Sequence, residues 1–285
     1  MIVYAAADPL ASWLALQRSS VGLPVPLTDR AGLRRELARV PPAGEVTLLV
    51  SSSELTEGDG GPARLLGAVQ DYSIWAEQRA LRARVLLQST ARVYGAPKPG
   101  IALREADAAP ADARVAELLQ LEAELAARAA RRNLSLVVVR LFEVLDPREQ
   151  QGRLSQLLRC VREGDLAQVP GLGATRDYLD ARDVVRAFAV LAALPDPGSP
   201  LSTTVNVCSG RAVSGRDLVR EVIRVVRPGD EAALLAGLGP APAQEEGESA
   251  APWRVGNAAR FVQLTGSEAG RTALRTTIEE ALRSA

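Results

Sequence analysis

Histidine is absent from the 285-residue chain, which therefore lacks the side chain that most often transfers protons near neutral pH and binds metals. Two cysteines, Cys160 and Cys208, are far apart in the sequence, so no metal site is expected. Lys and Arg total 34, as do Asp and Glu, and this balance favours neither nucleic acid nor a membrane surface as a partner. A signal peptide and apolar runs of transmembrane length are also lacking, which predicts a cytoplasmic protein.

Short apolar runs alternate with amphipathic stretches along the chain. The apolar runs predict strands at residues 2–6, 25–28, 45–50, 84–88, 136–140 and 203–207. Helical spacing of apolar residues predicts helices at 8–19, 62–79, 110–132, 154–161, 213–226 and 271–285. This alternation is typical of an α/β fold with a parallel sheet. Residues 228–251, rich in Gly, Pro, Ala and Glu, are predicted to form a mobile loop.

Three motifs stand at the ends of predicted strands. Residues 89–95 read Ser-Thr-Ala-Arg-Val-Tyr-Gly, residues 140–147 read Arg-Leu-Phe-Glu-Val-Leu-Asp-Pro, and residues 171–179 read Gly-Leu-Gly-Ala-Thr-Arg-Asp-Tyr-Leu. This arrangement resembles the extended short-chain dehydrogenase/reductases, the NAD-dependent nucleotide-sugar epimerases and dehydratases. The resemblance covers nearly the whole chain. It implies a Rossmann-type doubly wound core at 1–147, completed by about 177–207, with a small interleaved substrate lobe at 148–176 and 208–285.

The resemblance also locates the family's catalytic groups. Thr90 occupies the position of the active-site hydroxyl. The next helix of the family carries Tyr-x-x-x-Lys on one face, and the lysine lowers the pKa of the phenol that transfers the proton. Ala116 and Gln120 stand at these two positions, and Glu124 matches a family glutamate one turn later. Neither Ala116 nor Gln120 can perform the proton transfer.

The family's dinucleotide turn, Gly-x-x-Gly-x-x-Gly, falls on Ala5, Asp8 and Ala11. Glycine is needed there for the tight turn, for close approach of the pyrophosphate and for packing of the helix on the strand. Asp8 before Pro9 is better explained as a helix N-cap that takes the place of the phosphate. We therefore expect no binding of NAD or NADP, unless the turn differs from the family alignment.

Asp29 matches the acidic residue that holds the adenosine ribose in NAD-preferring relatives. An aspartate at this position is equally typical of an ordinary helix cap, which is the favoured interpretation. Between Asp29 and the next strand there is room for a single short helix, so the further strand that the family places beside the adenine is expected to be missing.

Three residues are candidates for substrate binding. Arg176 matches the arginine that contacts the nucleotide phosphate in the family, although it could instead pair with Asp177 to brace the turn. Glu143 replaces the asparagine that faces the substrate, or is a solvated residue at a strand end. Tyr94 could line the same pocket, but the tyrosine of this motif is usually structural.

These substitutions leave three hypotheses for function. The favoured one is a pseudoenzyme that acts as a binding, scaffolding or regulatory partner. The others are an active nucleotide-sugar epimerase, dehydratase or reductase with atypical catalytic residues, and the same fold used for a cofactor-independent reaction. The resemblance further implies a homodimer, or a heterodimer with a related chain, through the helices at 62–79 and 110–132.

Overall fold

A parallel six-stranded sheet forms the centre of the molecule. The structure is a computed structural model that describes residues 1–5, 10–17, 19–41, 44–52, 61–95, 97–166, 169, 171–195, 199–238 and 253–284. The strands are β1 (Ile2–Ala5), β2 (Ser20–Leu23), β3 (Glu45–Ser51), β4 (Arg82–Thr90), β5 (Ser135–Leu141) and β9 (Ser202–Val207). They lie in the order β2-β1-β3-β4-β5-β9, with every neighbouring pair parallel. The predicted Rossmann-type sheet is confirmed.

The second strand was predicted in the wrong place. It lies at Ser20–Leu23, whereas residues 25–28 connect it to the next helix. Pro26 has no N–H for a strand ladder, which explains why the apolar run around it does not pair. The run is apolar because Leu27 is fully buried in the core beneath the sheet. The apolar run at 25–28 therefore reflects burial of a connecting segment, and it was wrongly interpreted as a strand.

The first helix is much shorter than the predicted range 8–19. It comprises only α1 (Ala11–Leu14). The Ser20 hydroxyl donates to the backbone oxygens of Leu14 and Gln17, and Ser20 already belongs to β2. Because a side chain from the following strand bonds the carbonyl groups at the end of this turn, the chain has no room for a second helical turn.

Helices cover both faces of the sheet because alternate strand residues point to opposite sides. Val85 and Leu87 pack in one cluster, while Leu86 between them packs in the other. The first cluster is covered by α2 (Arg30–Arg39), α3 (Gly61–Glu77) and α4 (Ala113–Arg131). The second is covered by α1, α6 (Ala181–Ala192) and α9 (Ala259–Thr265). α3 and α4 confirm the helices predicted at 62–79 and 110–132.

The apolar residues of α3 are already buried inside the single chain. Leu65, Leu66, Val69 and Trp75 are all less than 8% exposed. They were predicted either to be buried in the core or to contact a partner subunit, and the structure buries them in the core. Dimer formation stays a prediction, and it would depend on the outer surface of α4 rather than on these side chains.

A second, smaller cluster forms a lobe beside the carboxyl ends of the strands. Its remaining elements are β6 (Glu143–Leu145), α5 (Arg153–Glu163), β7 (Thr175–Arg176), β8 (Tyr178–Asp180), β10 (Val213–Ser214), α7 (Gly215–Val226), α8 (Glu231–Ala236), β11 (Trp253–Arg254) and α10 (Leu274–Ser284). Leu157, Val222 and Ile278 pack together at its centre. Phe261 of α9 instead packs against the sheet, so part of the range 208–285 belongs to the main core.

The predicted loop at residues 228–251 is partly helical. α8 occupies six residues of it, and Leu234 and Leu235 pack against the core of the lobe. Residues 239–251 of that prediction lie outside the described residues. None of the helices in the described part of the chain is both long enough and apolar enough to cross a membrane.

A salt bridge fastens α2 to α3. Arg30 Nε and Nη2 lie 2.8 and 2.9 Å from the two carboxylate oxygens of Asp71, and Arg34 Nε lies 3.3 Å from one of them. The Asp71 side chain is only 8% exposed, whereas that of Arg30 is 43% exposed. Hydrogen bonding from Arg30 lowers the pKa of Asp71 below its ordinary value, although burial partly opposes the shift.

Because the folded pKa of Asp71 is lowered, its stabilisation is present above the ordinary carboxyl pKa of about 4 and is lost as the pH falls through the folded value. Asp71→Asn is expected to reduce the free energy of unfolding by about 1 kcal/mol at neutral pH, since Arg30 is partly solvated. Urea unfolding at several pH values should show this difference shrinking towards about pH 3. Glu36→Gln, which removes the exposed pair of Glu36 with Arg39, provides the control. An equal difference at every pH would contradict the assignment.

Candidate functional site

Thr90 is the last residue of β4, at the carboxyl edge of the sheet. It is the N-cap of a short 3₁₀-helix, Ala91–Tyr94, and its hydroxyl oxygen accepts a hydrogen bond from the backbone N–H of Arg92 at 3.3 Å. The side chain is half-buried. The hydroxyl is therefore oriented by the turn that follows, and its own hydrogen remains available for donation.

Tyr94 is a structural residue rather than part of an open pocket. Its ring is 3% exposed and stacks on Phe142, and its hydroxyl donates to Oδ1 of Asn206 while accepting from Nη1 of Arg140 at 3.4 Å. Burial raises the pKa of Tyr94 to about 12, so the phenol keeps its proton at neutral pH. The prediction that Tyr94 contacts a substrate is wrong, because the side chain is enclosed by the chain itself.

The buried Asn206, which bonds Tyr94, also holds the loop before α4 in place. Asn206 donates from Nδ2 to the carbonyl of Leu103, and its backbone N–H donates to a carboxylate oxygen of Glu105, both at 2.8 Å. Leu103 in turn pairs with the segment after β11, donating to the carbonyl of Val255 at 2.9 Å. Residues 103–105 are therefore held between the end of β9 and β11.

On α4, Ala116 and Gln120 do not face the strand ends. Both are exposed, and Gln120 donates to Glu124 at 3.0 Å along the outer surface of the helix. The buried glutamate is Glu122, which accepts from Arg140 at 2.7 Å and from the Ser89 hydroxyl at 2.5 Å. Glu122 and Glu124 are two residues apart, so the sequence allows two alignments of this helix with the family. The prediction used Glu124, which the structure places on the outer surface.

The positions one and two turns before Glu122 on α4 are Leu118, which is buried, and Arg114, which is exposed. Neither register supplies a tyrosine or a lysine. The single lysine of the chain, Lys98, follows Tyr94 at the family's spacing of four, but the 3₁₀-helix ends at Tyr94 and Lys98 is exposed in a loop. The pair therefore does not share a helical face.

Arg153 and Arg176 interact with Tyr178, and Arg254 is the neighbour of Arg176 on the adjacent strand. We call these three residues the arginine cluster. Arg176 of β7 and Arg254 of β11 are direct neighbours in parallel register. Tyr178 follows Arg176 by two residues and stands opposite Glu143 in the pairing of β6 with β8. Electrostatic contacts join Tyr178 to Arg153, Arg176 and Glu143. The structure thus brings two predicted residues, Arg176 and Glu143, into one site.

Arginine is the main charged residue type in this group. Arg176 is 5% exposed, whereas Arg153, Arg254 and Glu143 are half-buried. A Cβ at Gly171 would stand 2.5 Å from Nη2 of Arg153, so the missing side chain leaves room for that guanidinium. Guanidinium forks match the oxygens of phosphate groups, so the chemistry of this cluster suits a ligand that carries phosphate.

Asp177 fixes the backbone on which the cluster depends. Its carboxylate accepts from the N–H and hydroxyl of Ser209 at 2.7 and 2.6 Å, from the N–H of Gly210 at 2.8 Å and from the N–H of Gly256 at 3.3 Å. These bonds tie the turn after β9 to the residues just after Arg254. Asp177 is a positioning residue, and both of its oxygens are used by these partners.

Sequence reasoning missed Arg153 and Arg254. Arg254 stands in the segment Trp-Arg-Val-Gly, which matches the family's ending, but nothing in the sequence places that segment beside β7. Arg153 begins α5 and carries no motif. Only the folding of four separate segments onto one lobe brings these side chains together.

The first strand–helix unit gives a poor fit to a dinucleotide. Ala5 ends β1 with a methyl group that is almost fully buried, and Ala11 begins a helix of only four residues, whose dipole is small. Asp8 lies outside the described residues. Asp29 caps α2 by accepting from the N–H of Gly32 at 3.0 Å, six residues after β2 has ended. The described residues thus lack the glycine cradle, and the favoured cap interpretation of Asp29 is confirmed.

The predicted loss of the strand beside the adenine agrees with the sheet. β2 is the last strand on that side among the described residues. The acidic position that relatives use for ribose recognition therefore has no neighbouring strand to complete a pocket. Among the described residues, none is placed to hold NAD in the manner of the family, and the absence of NAD binding stays a prediction.

A sequence profile of the NAD dependent epimerase/dehydratase family matches residues 25–208. The chain belongs to this family. The matched range includes the strand ends that carry Thr90, Glu143 and Arg176, and it begins after β1 and α1. Comparison with curated protein sequences finds no match. The resemblance on which the sequence predictions were based is confirmed.

Solved structures of the family share the fold along the whole chain. The UDP-glucose 4-epimerase of Thermotoga maritima, solved with UDP-glucose, is 15% identical, with a TM-score of 0.74 and coverage of 100% of this chain and 98% of the other. The Thermus thermophilus UDP-glucose 4-epimerase, solved with NAD, is 17% identical, with a TM-score of 0.71 and coverage of 99% and 98%. The dTDP-glucose 4,6-dehydratase of Bacillus anthracis, also with NAD, is 13% identical, with a TM-score of 0.74 and coverage of 99% and 95%.

Proposed function

We propose that this chain binds a nucleotide-sugar or nucleoside diphosphate at the arginine cluster and does not perform the family's NAD-dependent proton and hydride transfer. The arginine cluster is the observation that carries the proposal. Arg176 and Arg254 are neighbours in the pairing of β7 with β11, and Arg153 interacts with Tyr178, two residues after Arg176. Guanidinium forks from three segments suit the oxygens of a diphosphate. The solved relatives that contain UDP-glucose or NAD support a nucleotide as the ligand class.

The proposed lack of oxidoreductase chemistry rests on α4 and on the first turn. The inward face of α4 presents Leu118 and Glu122, and Glu122 is neutralised by Arg140. Without a phenol and an ammonium on that face, removal of general acid–base help alone lowers a rate by about a hundredfold to ten-thousandfold. A binding or regulatory role uses the ligand site without that machinery.

An active nucleotide-sugar epimerase or dehydratase is the second candidate. Family membership and the NAD-bound structures favour it, and Thr90 retains a hydroxyl at the end of β4. In that case another group would have to transfer the proton, and the cofactor would have to be held without the glycine turn. Binding and turnover measurements on the same preparation separate the two candidates.

Calorimetric titration of the full chain with UDP, UDP-glucose and dTDP-glucose is expected to find saturable binding. Arg176→Gln should weaken it about tenfold to a hundredfold, because one charge-assisted contact to phosphate contributes about 1.5–3 kcal/mol. Arg159→Gln, an exposed change on α5 of the same lobe, is the charge-matched control. Binding that is unaffected by Arg176→Gln would refute the site.

In parallel, NAD and NADP are expected to bind no more tightly than about millimolar, and none of the sugar nucleotides should be converted when NAD is added. Micromolar NAD binding with conversion of a nucleotide-sugar would establish the second candidate. Micromolar binding without conversion would restore a cofactor role while leaving the proton-transfer proposal intact.

A further inference from the structure

A cleft lies between α3 and α4 at the amino edge of the sheet, on the opposite edge from the arginine cluster. Its volume is about 250 Å³. The last turn of α4 and the start of β5 define its position, since Leu134 directly precedes β5. The residues that matter for its chemistry are Val69, Ser73, Arg128, Arg131, Arg132 and Leu134.

The walls of this cleft carry positive charge. Arg128, Arg131 and Arg132 lie three and four residues apart, so their side chains emerge from one end of the helix. Within the described part of the chain none of the three forms an ion pair, and the cleft is lined by no carboxylate. The carbonyl end of α4 offsets each charge only weakly, by about 0.3–1 kcal/mol at an exposed helix end.

The floor and one side of the cleft are buried. Val69 and Leu134 are 4% and 5% exposed, and Ser73, at 9% exposed, donates its hydroxyl hydrogen to the carbonyl of Gln70 at 2.8 Å. A bound group would therefore be enclosed on the protein side, where the dielectric constant is lower than in water and charge interactions are stronger. This distinguishes the cleft from a row of fully solvated arginines.

We propose that this α3–α4 cleft binds a phosphate group, independently of the ligand at the arginine cluster. A phosphate dianion offers oxygens to several guanidinium forks at once, whereas a single carboxylate balances only one of three charges. Because the Ser73 hydroxyl hydrogen is already bonded to the carbonyl of Gln70, the arginines supply the donors to the phosphate. The source of the phosphate is either the free inorganic ion or a phosphomonoester of a small metabolite.

The test uses the full-length chain and inorganic phosphate as the probe, with glycerol 3-phosphate as a phosphomonoester in a second titration. Calorimetry at low ionic strength is expected to give saturable binding, and added salt should weaken it. Arg128→Gln combined with Arg132→Gln should weaken phosphate binding at least about tenfold. The control combines Arg35→Gln with Arg159→Gln, two exposed positions that do not line the cleft and that remove the same charge.

Arg176→Gln separates this inference from the proposed function. Phosphate binding that survives Arg176→Gln and is lost in the Arg128/Arg132 double variant supports a second site. Phosphate binding that is lost in Arg176→Gln and kept in the double variant would overturn the cleft site while supporting the arginine cluster. Absence of saturable binding up to about 10 mM would overturn it as well. Tighter binding of the phosphomonoester than of inorganic phosphate would identify the organic source.

Discussion

Arg140→Met is expected to lower the free energy of unfolding by about 3–5 kcal/mol, because it leaves Glu122 charged and buried without its partner. Arg140 and Glu122 are 5% and 6% exposed, and Nη2 of Arg140 lies 2.7 Å from Oε2 of Glu122. Arg140 also donates to the carbonyl of Glu105 at 2.8 Å and to the hydroxyl of Tyr94. The substitution therefore removes the counter-charge of one group and donors to two more.

A double-mutant cycle tests this explanation. Glu122→Gln together with Arg140→Met should be less destabilising than the sum of the two single changes, since the double variant buries no unpaired charge. Urea unfolding followed by circular dichroism measures each free energy. If Arg140→Met changed stability by less than about 1 kcal/mol, the pair would have to be hydrated in solution. Strict additivity in the cycle would likewise contradict a direct interaction.

Arg84→Leu is expected to destabilise the fold by about 3–5 kcal/mol, for a different reason. Arg84 of β4 is 5% exposed, and its guanidinium donates to the carbonyls of Leu191, Ala192 and Leu194 at 2.9, 2.8 and 2.6 Å. These carbonyl groups lie at and just after the C-terminal end of α6, where few backbone N–H groups remain to bond them. The charge also interacts favourably with the negative end of the helix dipole.

The matched control is Arg82→Leu on the same strand. Arg82 pairs with Glu45 at 3.1 Å, but their side chains are 69% and 51% exposed, so the change is expected to be within about 1 kcal/mol. Thermal and urea unfolding of both variants measures the difference. Arg84→Lys should recover only part of the loss, because an ammonium group cannot span three carbonyls as a guanidinium does. Equal effects of the changes at Arg82 and Arg84 would refute the capping role.

The central strands could be predicted from sequence because burial on both faces makes them continuous apolar runs. β3 and β5 are such runs, and their predicted positions were correct to within one residue at each end. β2 was misplaced because the apolar residue Leu27 is buried outside any strand. The length of α1 depends on a hydroxyl from the next strand, Ser20, and helical periodicity carries no information about such a tertiary cap.

The site was harder to predict than the fold. Motif spacing identified Arg176 and Glu143, which the structure places in one group. It did not reveal Arg254, because a two-residue strand pairing across the lobe determines that contact. The sequence also did not show which glutamate of α4 is buried, because Glu122 and Glu124 both fit the alanine-rich pattern. The ion pair with the buried Arg140 identifies Glu122. Long-range pairing and buried charge partners are properties of the fold that a local pattern does not contain.

The two ends of the sheet have a consequence for association in a crowded cell. Open strand edges invite pairing with other chains and lead to aggregation. On one side β2 has only four residues and is followed by Pro24 and Pro26, which have no N–H to offer an incoming strand. On the other side the outward N–H of Asn206 in β9 is already bonded to Glu105. Both features disfavour growth of the sheet by addition of a strand from another chain.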